Sequence, residues 1–242
     1  IPRYGIVMAR SQPDLAIVGA PNHVWAVPRV DGRWTIAERY FQNVPGGADD
    51  FHDDGRGFVW IALRNAQVCR LDLRHGPRAD APAEIYGAAR GLPAFAIGDK
   101  IRLLSLGGEV IVTNFKGAWR FDEARNRFEP ESRLVFDQHG PVATTETPDG
   151  AWLFYALPQP KLVHVSQAPP PGGDVRGTAT PWRIAQHPAP ALAGFVVNSI
   201  YFDAPAHTLW IAAQGQLISC DLTWQGSLAP AAPAAVLRRV TS

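Results

Sequence analysis

Acidic and histidine side chains are densest in one short segment, residues 49–54, which reads Asp-Asp-Phe-His-Asp-Asp. Carboxylate oxygens suit hard cations such as calcium, and a histidine beside a carboxylate can act as a general base. However, neighbours on a strand point to opposite faces, and Asp before Gly55 is typical of a turn whose carboxylates cap backbone amides. The segment therefore favours a turn, with a ligand site formed by His52, Asp53 and Asp54 as the alternative.

Three further polar side chains, Arg70, Arg120 and His164, fall at one position of a segment that recurs along the chain. They could line a groove between neighbouring repeats and contact a ligand there. The interpretation that we favour is that they bridge to carboxylates at the sheet edges, such as Asp72 and Asp122.

Tryptophans outside the apolar runs, at Trp34, Trp182 and Trp224, are candidate platforms for the apolar face of a sugar. Packing at the edges of sheets is the simpler explanation. The predicted ligand-binding residues are His52, Asp53, Asp54, Arg70, Arg120, His164 and Trp182. We predict no catalytic residue, metal ligand or cofactor, since the sequence has no Walker loop, HExxH motif, Cys zinc pattern or Ser-His-Asp elbow.

The composition indicates a globular chain with no reason to bind nucleic acid. Its 242 residues are 46% hydrophobic and 19% charged, with a formal net charge of +1, which gives no electrostatic reason to propose nucleic acid or an anionic membrane as a partner. No apolar run approaches the ~20 residues of a membrane helix. Cys69 and Cys220 lie in apolar runs, and we expect buried free thiols. Because the chain starts at Ile1 without a signal peptide, we expect it to be a piece of a longer protein.

A degenerate repeat is the strongest pattern. Short apolar runs with tryptophan or valine at the centre recur at intervals of about 35 to 58 residues, close to the length of a four-stranded propeller blade. Their central residues are Trp25, Trp60, Val110, Trp152 and Trp210. These runs are continuously apolar, which is typical of strands buried on both faces.

Each repeat can be divided into four strands. A first strand such as Leu15–Gly19 precedes the tryptophan strand, a strand ending in Asp follows it, and a weaker outer strand completes the unit. The sequence therefore predicts an all-β fold: one β-propeller domain over residues 1–242, with about five four-stranded blades. Five blades could close a ring or form the C-terminal part of a larger, seven-bladed one.

The repeats resemble those of bacterial two-component regulator propellers. The resemblance rests on "RGLP" at 90–93, "DDGRGFVWIAL" at 53–63, "KGAWRFD" at 116–122 and "SIYFDAPAHTLWIAA" at 199–213, together with the tail "AVLRRVTS". It implies a non-enzymatic, periplasmic sensor domain of an inner-membrane receptor, followed by an immunoglobulin-like stalk, a membrane helix and a histidine kinase. The implied ligand is a small, often carbohydrate-derived molecule, and a homodimer is one option for the assembly.

Two other classes of function stay open at this point. A streptogramin-lyase-like propeller enzyme would need His52 or His139 beside carboxylates and a divalent metal at one mouth of the channel. A protein-interaction scaffold would bind another protein at its rim. Propellers host all three functions, so the fold alone does not choose among them.

Overall fold

The computed structural model describes residues 5–20, 22–35, 41–97, 99–134, 140–167, 182–214, 216–221 and 236–240. Within these ranges there are twenty strands in five antiparallel four-stranded sheets, and two single-turn 3-10 helices at Ala88–Arg90 and Pro190–Leu192. No helix in these ranges has the length and hydropathy of a membrane span. The predicted all-β organisation in four-stranded repeats is confirmed.

The sheets follow one another along the chain, and we call them blades I to V. Blade I consists of β1 (Ile6–Met8), β2 (Leu15–Gly19), β3 (Val24–Val30) and β4 (Arg33–Trp34). Blade II consists of β5 (Ala48–Asp53), β6 (Phe58–Leu63), β7 (Val68–Asp72) and β8 (Ala83–Tyr86). Blade III consists of β9 (Arg102–Leu106), β10 (Glu109–Asn114), β11 (Gly117–Asp122) and β12 (Arg127–Pro130).

Blade IV consists of β13 (Ala143–Thr147), β14 (Gly150–Tyr155), β15 (Lys161–Gln167) and β16 (Trp182–Pro188). Blade V consists of β17 (Val197–Asp203), β18 (Thr208–Ala213), β19 (Gln216–Asp221) and β20 (Val236–Val240). The chain divides into two compact units, with blades I to III in unit 1 and blades IV and V in unit 2. That residues 1–242 form one domain stays a prediction.

The second strand of blade II shows why the tryptophan runs are continuously apolar. Alternate side chains of a strand point to opposite faces. Val59 and Ile61 pack in one core with blade I, whereas Trp60 packs in a second core with blade III. Because both faces are covered by neighbouring blades, the polar alternation of a half-exposed strand is absent.

Trp60 is the wedge between blades II and III. It is fully buried, and its ring lies 4.6 Å from the ring of Phe121 and 5.7 Å from that of Phe128, both in blade III. Trp152 has the corresponding place in unit 2, in a core that joins blade IV to Leu209 and Ile211 of blade V. The predicted packing role of these two tryptophans is confirmed.

Trp210 occupies the same position as Trp60 and Trp152, the third residue of the second strand, but it is only half-buried. In blade III this position belongs to Ile111, not to Val110 as the sequence alignment predicted. Val110 points the other way, into the core shared with blade II. The alignment was wrong by one residue because both positions carry β-branched apolar side chains.

The strand assignment in blade I was also wrong. Leu15–Gly19 is the second strand, and the strand that contains Trp25 is the third. The first strand, Ile6–Met8, has only three residues and carried no recognisable pattern. Trp25 lies on the third strand of blade I, whereas Trp60 lies on the second strand of blade II. The interval between these two tryptophans is therefore shorter than the later intervals.

The "RGLP" segment opens blade III, as the resemblance implied. Arg90 ends a 3-10 turn, and Gly91 caps it in the left-handed region with φ of 90°. Leu92 then enters the core between blades II and III. The cap needs glycine for a second reason: a Cβ at this position would overlap the carbonyl oxygen of Phe128.

Candidate ligand site

Asp53 and Asp54 form the turn between the first two strands of blade II. Asp53 accepts hydrogen bonds from the backbone amides of Gly55 at 2.6 Å and of Arg10, in blade I, at 3.1 Å. Asp54 accepts from the amide of Arg56 at 2.8 Å and from the indole N–H of Trp60 at 3.4 Å. These carboxylates therefore hold the turn and the tryptophan in place, as the favoured interpretation predicted.

Burial raises the pKa of Asp53, and its two backbone hydrogen bonds oppose that rise. Asp53 is only 3% exposed, and the two amides favour its ionised form. The oxygens of Asp53 and Asp54 already accept hydrogen bonds within the turn. A role of these two residues in ligand binding stays a prediction.

His52, Trp60 and Arg70 form one cross-strand row in blade II. In the register of the sheet, His52 lies opposite Trp60, and Trp60 lies opposite Arg70. All three side chains are buried. The structure thus brings His52, Asp54 and Arg70 together around one tryptophan, which their separation along the chain did not indicate.

Arg70 joins blade II to blade III. Its guanidinium lies 3.7 Å from the centre of the Phe58 ring and 5.2 Å from that of Phe121, and one of its terminal nitrogens donates to Glu123 at 2.6 Å. The prediction that it bridges to a carboxylate is correct, but the partner is Glu123 of the next blade rather than Asp72. Asp72 pairs instead with Arg74 at 2.7 Å.

Arg120 is about one-third exposed and pairs within blade III, with Glu129 at 3.2 Å and Glu109 at 3.6 Å. His164 is 2% exposed and occupies in blade IV the place of Arg70, opposite the tryptophan. Its ring stacks on Trp152 at 4.7 Å. Arg120 and His164 therefore contact different residues from those around Arg70.

Trp182 begins the outer strand of blade IV, and the guanidinium of Arg133 lies 5.5 Å from its ring. Trp34 lies on the outer strand of blade I, 47% exposed, with Arg29 over its ring at 5.9 Å. Both tryptophans are at blade edges, as the packing interpretation predicted. Trp224 and His139 lie outside the described residues.

The most unusual charged group that the structure shows is at the beginning of the first strands of blades II and III. Within unit 1, β5 contacts the first strands of both neighbouring blades, β1 and β9. β5 has a bulge between Ala48 and Asp50, so that Asp49 is the extra residue. Bulges are over-represented beside functional sites because they redirect side chains.

The bulge sends two neighbouring carboxylates to different partners. Asp49 pairs with the guanidinium of Arg64 at 3.2 Å, and both side chains are about one-third exposed. Asp50 turns toward blade III, where it accepts a hydrogen bond from the amide of Leu103 at 3.0 Å. Burial raises the pKa of Asp50, while the nearby Arg102 guanidinium and the Leu103 amide act against the rise.

Arg102 is the fourth member of this group, which we call the inner-strand cluster: Asp49, Asp50, Arg64 and Arg102. Arg102 is 5% exposed and begins β9. Burying charged groups costs several kcal/mol unless they are paired, and the charge of Arg102 acts on the Asp50 carboxylate. Sequence reasoning missed Arg102, although a lone arginine at the head of the apolar run Arg-Leu-Leu-Ser-Leu was a usable signal.

Among the described side chains, no three or more His, Cys, Asp and Glu residues converge in an arrangement that could hold a metal ion. The inner-strand cluster combines carboxylates with guanidinium groups. Such a set can accept hydrogen bonds from hydroxyl groups and donate them to hydroxyl, carbonyl or carboxylate oxygens.

Comparison with known proteins gives a clear result for the fold. No protein-family model matches the sequence, and no curated protein matches it. Among solved structures, the chain is similar to the extracellular domain of a protein described as a hybrid two-component system, BT4673 from B. thetaiotaomicron, with a TM-score of 0.58 and 13% identity over 95% of this chain and 26% of that chain.

A second structure of the BT4673 extracellular domain, described as a one-component system, gives a TM-score of 0.59 and 14% identity over 98% of this chain and 27% of that one. The β-propeller domain of Cps50 (Swd1) from Myceliophteria thermophila gives a TM-score of 0.53 and 10% identity over 97% of this chain and 84% of that chain. The chain thus spans about a quarter of the length of the BT4673 chains. These similarities show a β-propeller fold, and the resemblance to two-component sensor propellers is confirmed at the level of the fold.

Proposed function

We propose that this chain is a ligand-sensing propeller module of a bacterial two-component receptor and lies on the extracytoplasmic side of the membrane. The supporting observation is that almost the whole chain superposes on extracellular domains described as parts of a signalling system. In this proposal the module is non-enzymatic, and ligand occupancy is passed to a C-terminal stalk and histidine kinase. A homodimer would be the signalling assembly.

The inner-strand cluster is the ligand site in this proposal. Asp49, Asp50 and Arg64 are partly exposed, so a ligand can reach them, whereas Arg102 is buried beside Asp50. A small carbohydrate-derived molecule suits these groups, because carboxylates accept from sugar hydroxyls and guanidinium groups donate to acidic substituents. Of the residues predicted to bind a ligand, His52 lies closest to Asp50 along β5.

Direct binding by the full-length receptor tests the proposal. Calorimetry with a panel of neutral and acidic oligosaccharides is expected to find a ligand whose affinity falls at least about tenfold in the variant Arg64→Gln, a loss of about 1.4 kcal/mol. The matched control is Arg78→Gln, which removes an exposed arginine that pairs with Asp80 away from the cluster. Equal loss in both variants, or no binding by any oligosaccharide, would contradict the carbohydrate proposal.

The same preparation distinguishes the other classes of function. Magnesium-dependent turnover of a bound molecule that His52→Ala abolishes would overturn the non-enzymatic proposal in favour of an enzyme. Kinase autophosphorylation that changes with the ligand, and responds less in Arg64→Gln, would support sensing.

A further inference from the structure

Two histidines share one tryptophan at the boundary between blades IV and V. The ring of His164 stacks on Trp152 with centroids 4.7 Å apart and planes 27° apart. The ring of His187, on the neighbouring strand, lies 5.3 Å from the same tryptophan. Strand pairing places Leu162 opposite His187 and Ala185 opposite His164, so both imidazoles point to the same face of the sheet.

That face packs on blade V. Trp152 and Leu162 belong to a core with Val197, Leu209 and Ile218 of blade V. The first strands add one polar link, in which the amide of Phe202 donates to the Thr145 hydroxyl at 3.2 Å. The surroundings of the two imidazoles are therefore mainly apolar, and a charged imidazolium is poorly solvated there.

The charged and titratable groups on this face are few among the described side chains. Asp149, in the turn before β14, has a carboxylate oxygen 3.7 Å from Nε2 of His164 and is 44% exposed. Arg183 lies two residues before Ala185 on the same face and is exposed. Blade V contributes the buried thiol of Cys220. Of the groups whose side chains the structure describes, Asp149 favours a protonated His164 and His187 opposes it. On blade V, Arg239 lies opposite Ile218 in the register of β19 and β20.

The corresponding boundary in unit 1 has a permanent charge instead of histidine. Arg70, at the position of His164, is charged at every accessible pH and is paired with Glu123 at 2.6 Å. The two boundaries therefore differ in the kind of side chain opposite the tryptophan: a constant cation between blades II and III, and titratable imidazoles between blades IV and V.

We propose that the boundary between blades IV and V is an acid-sensitive joint, which loosens when His164 and His187 take up protons, while the boundary between blades II and III is unaffected. This inference concerns a different unit from the inner-strand cluster and does not depend on the proposed function. In the context of a receptor it would make the state of blade V responsive to acidification.

The electrostatics agree with this geometry. Burial lowers the pKa of His164, with Asp149 opposing the decrease and His187 adding to it. Burial also lowers the pKa of His187, whose Nε2 is buried and has no hydrogen-bond partner among the described residues. A histidine with a lowered folded-state pKa binds fewer protons than in the unfolded chain, so stability is lost as pH falls below about 6.5.

Hydrogen exchange of individual segments tests the proposal. Between pH 7.5 and 5.5, protection factors in β14, β15, β18 and β19 are expected to fall by about tenfold or more, after correction for intrinsic exchange. Those in β6, β7 and β10 should change by less than about twofold. Unchanged protection in blades IV and V would overturn the proposal.

Variants show whether the histidines are responsible. His164→Phe with His187→Phe keeps aromatic rings that cannot be protonated, and it should abolish the pH response in blades IV and V. The control His75→Gln, an exposed histidine of unit 1, should leave the response intact. Should the double variant not fold, Asp149→Asn provides the second test. It removes the carboxylate that opposes the low pKa of His164, so the acid response should become larger, and an unchanged response would contradict the proposal.

Discussion

At the scale of single residues, Gly91 shows how one position fixes the start of a blade. Its backbone has φ of 90°, and a Cβ there would overlap the carbonyl oxygen of Phe128. Gly76 has nearly the same φ, 88°, but nothing lies within 4 Å of its Cβ position. Comparing substitutions at Gly91 and Gly76 therefore separates the cost of backbone strain from the cost of steric overlap.

We expect Gly91→Ala to destabilise unit 1 clearly more than Gly76→Ala. The left-handed conformation alone costs an alanine roughly 1 kcal/mol, whereas the overlap in Gly91→Ala should bring the total to about 3 kcal/mol or more. Urea denaturation followed by far-ultraviolet circular dichroism measures both values. Equal losses would show that Phe128 moves aside without cost.

A substitution at Asp50 is expected to leave stability unchanged or to raise it, in contrast to Gly91→Ala. Because burial raises its pKa, the folded state holds a proton more strongly than the unfolded chain does, and its ionisation reduces stability as pH rises above its ordinary value near 3.8. Asp50→Asn keeps an oxygen that accepts from the Leu103 amide. We therefore expect its melting temperature at pH 7 to be unchanged or higher, while ligand binding is weaker.

Calorimetry and thermal melts on the same samples check this prediction. A drop in melting temperature of several degrees would mean that the charge of Asp50 is needed for folding, through Arg102. The residue would then be a structural ion-pair partner and not a group retained for binding.

At the scale of the elements, the third residue of the second strand is buried to a different degree in different blades. Trp60 is fully buried among Tyr86, Phe121 and Phe128, whereas Trp210 is half-buried. Trp60→Leu should therefore cost about 3 kcal/mol or more. Trp210→Leu should cost roughly 1 kcal/mol, because less surface leaves the core. Chemical denaturation curves measure the free energy of unfolding of both variants. Similar losses would contradict the statement that Trp210 is less buried than Trp60.

The sequence was sufficient for the strands that carry strong patterns. Apolar runs around Trp60, Trp152 and Trp210 identified second strands correctly, since burial on both faces leaves an unbroken hydrophobic run. It was not sufficient for the three-residue strand Ile6–Met8, which is too short for any period to be visible. The one-residue error at Val110 has a similar origin, because neighbouring β-branched residues leave the register undetermined.

The same limit applies to the candidate site. Asp49 and Asp50 stood out as part of an acidic run, but their separation by a bulge depends on pairing with β6, which sequence composition does not encode. Arg102 is 52 positions from Asp50, and only the contact between first strands of blades II and III brings them together. Local patterns identify elements, while the site arises from long-range pairing.

At the scale of the whole molecule, the two units should respond to acid in a fixed order. Glu84 of blade II accepts hydrogen bonds from Asn126 and Tyr86 at 3.0 Å each and from Arg90 at 2.6 Å. These bonds lower its pKa to about 2, Asn126 and Arg90 most strongly. A carboxylate with a lowered folded-state pKa stabilises the fold above its ordinary value near 4.5, and that stabilisation is lost as pH falls toward 2.

Unit 2 should therefore lose protection first, below about pH 6.5, and unit 1 only below about pH 4.5. Glu84→Gln should lower the stability of unit 1 at pH 7 and flatten its dependence on pH below 4.5, with little change in unit 2, because Glu84 and its three hydrogen-bond donors all belong to unit 1. The effect will be modest, since the Glu84 side chain is 46% exposed and solvent screens its charge. A pH series of segment-resolved hydrogen exchange, with the exposed Asp80→Asn as control, measures the order. Simultaneous loss of protection in both units at one pH would show that the five blades unfold as a single cooperative body, and that neither the histidines nor Glu84 act locally.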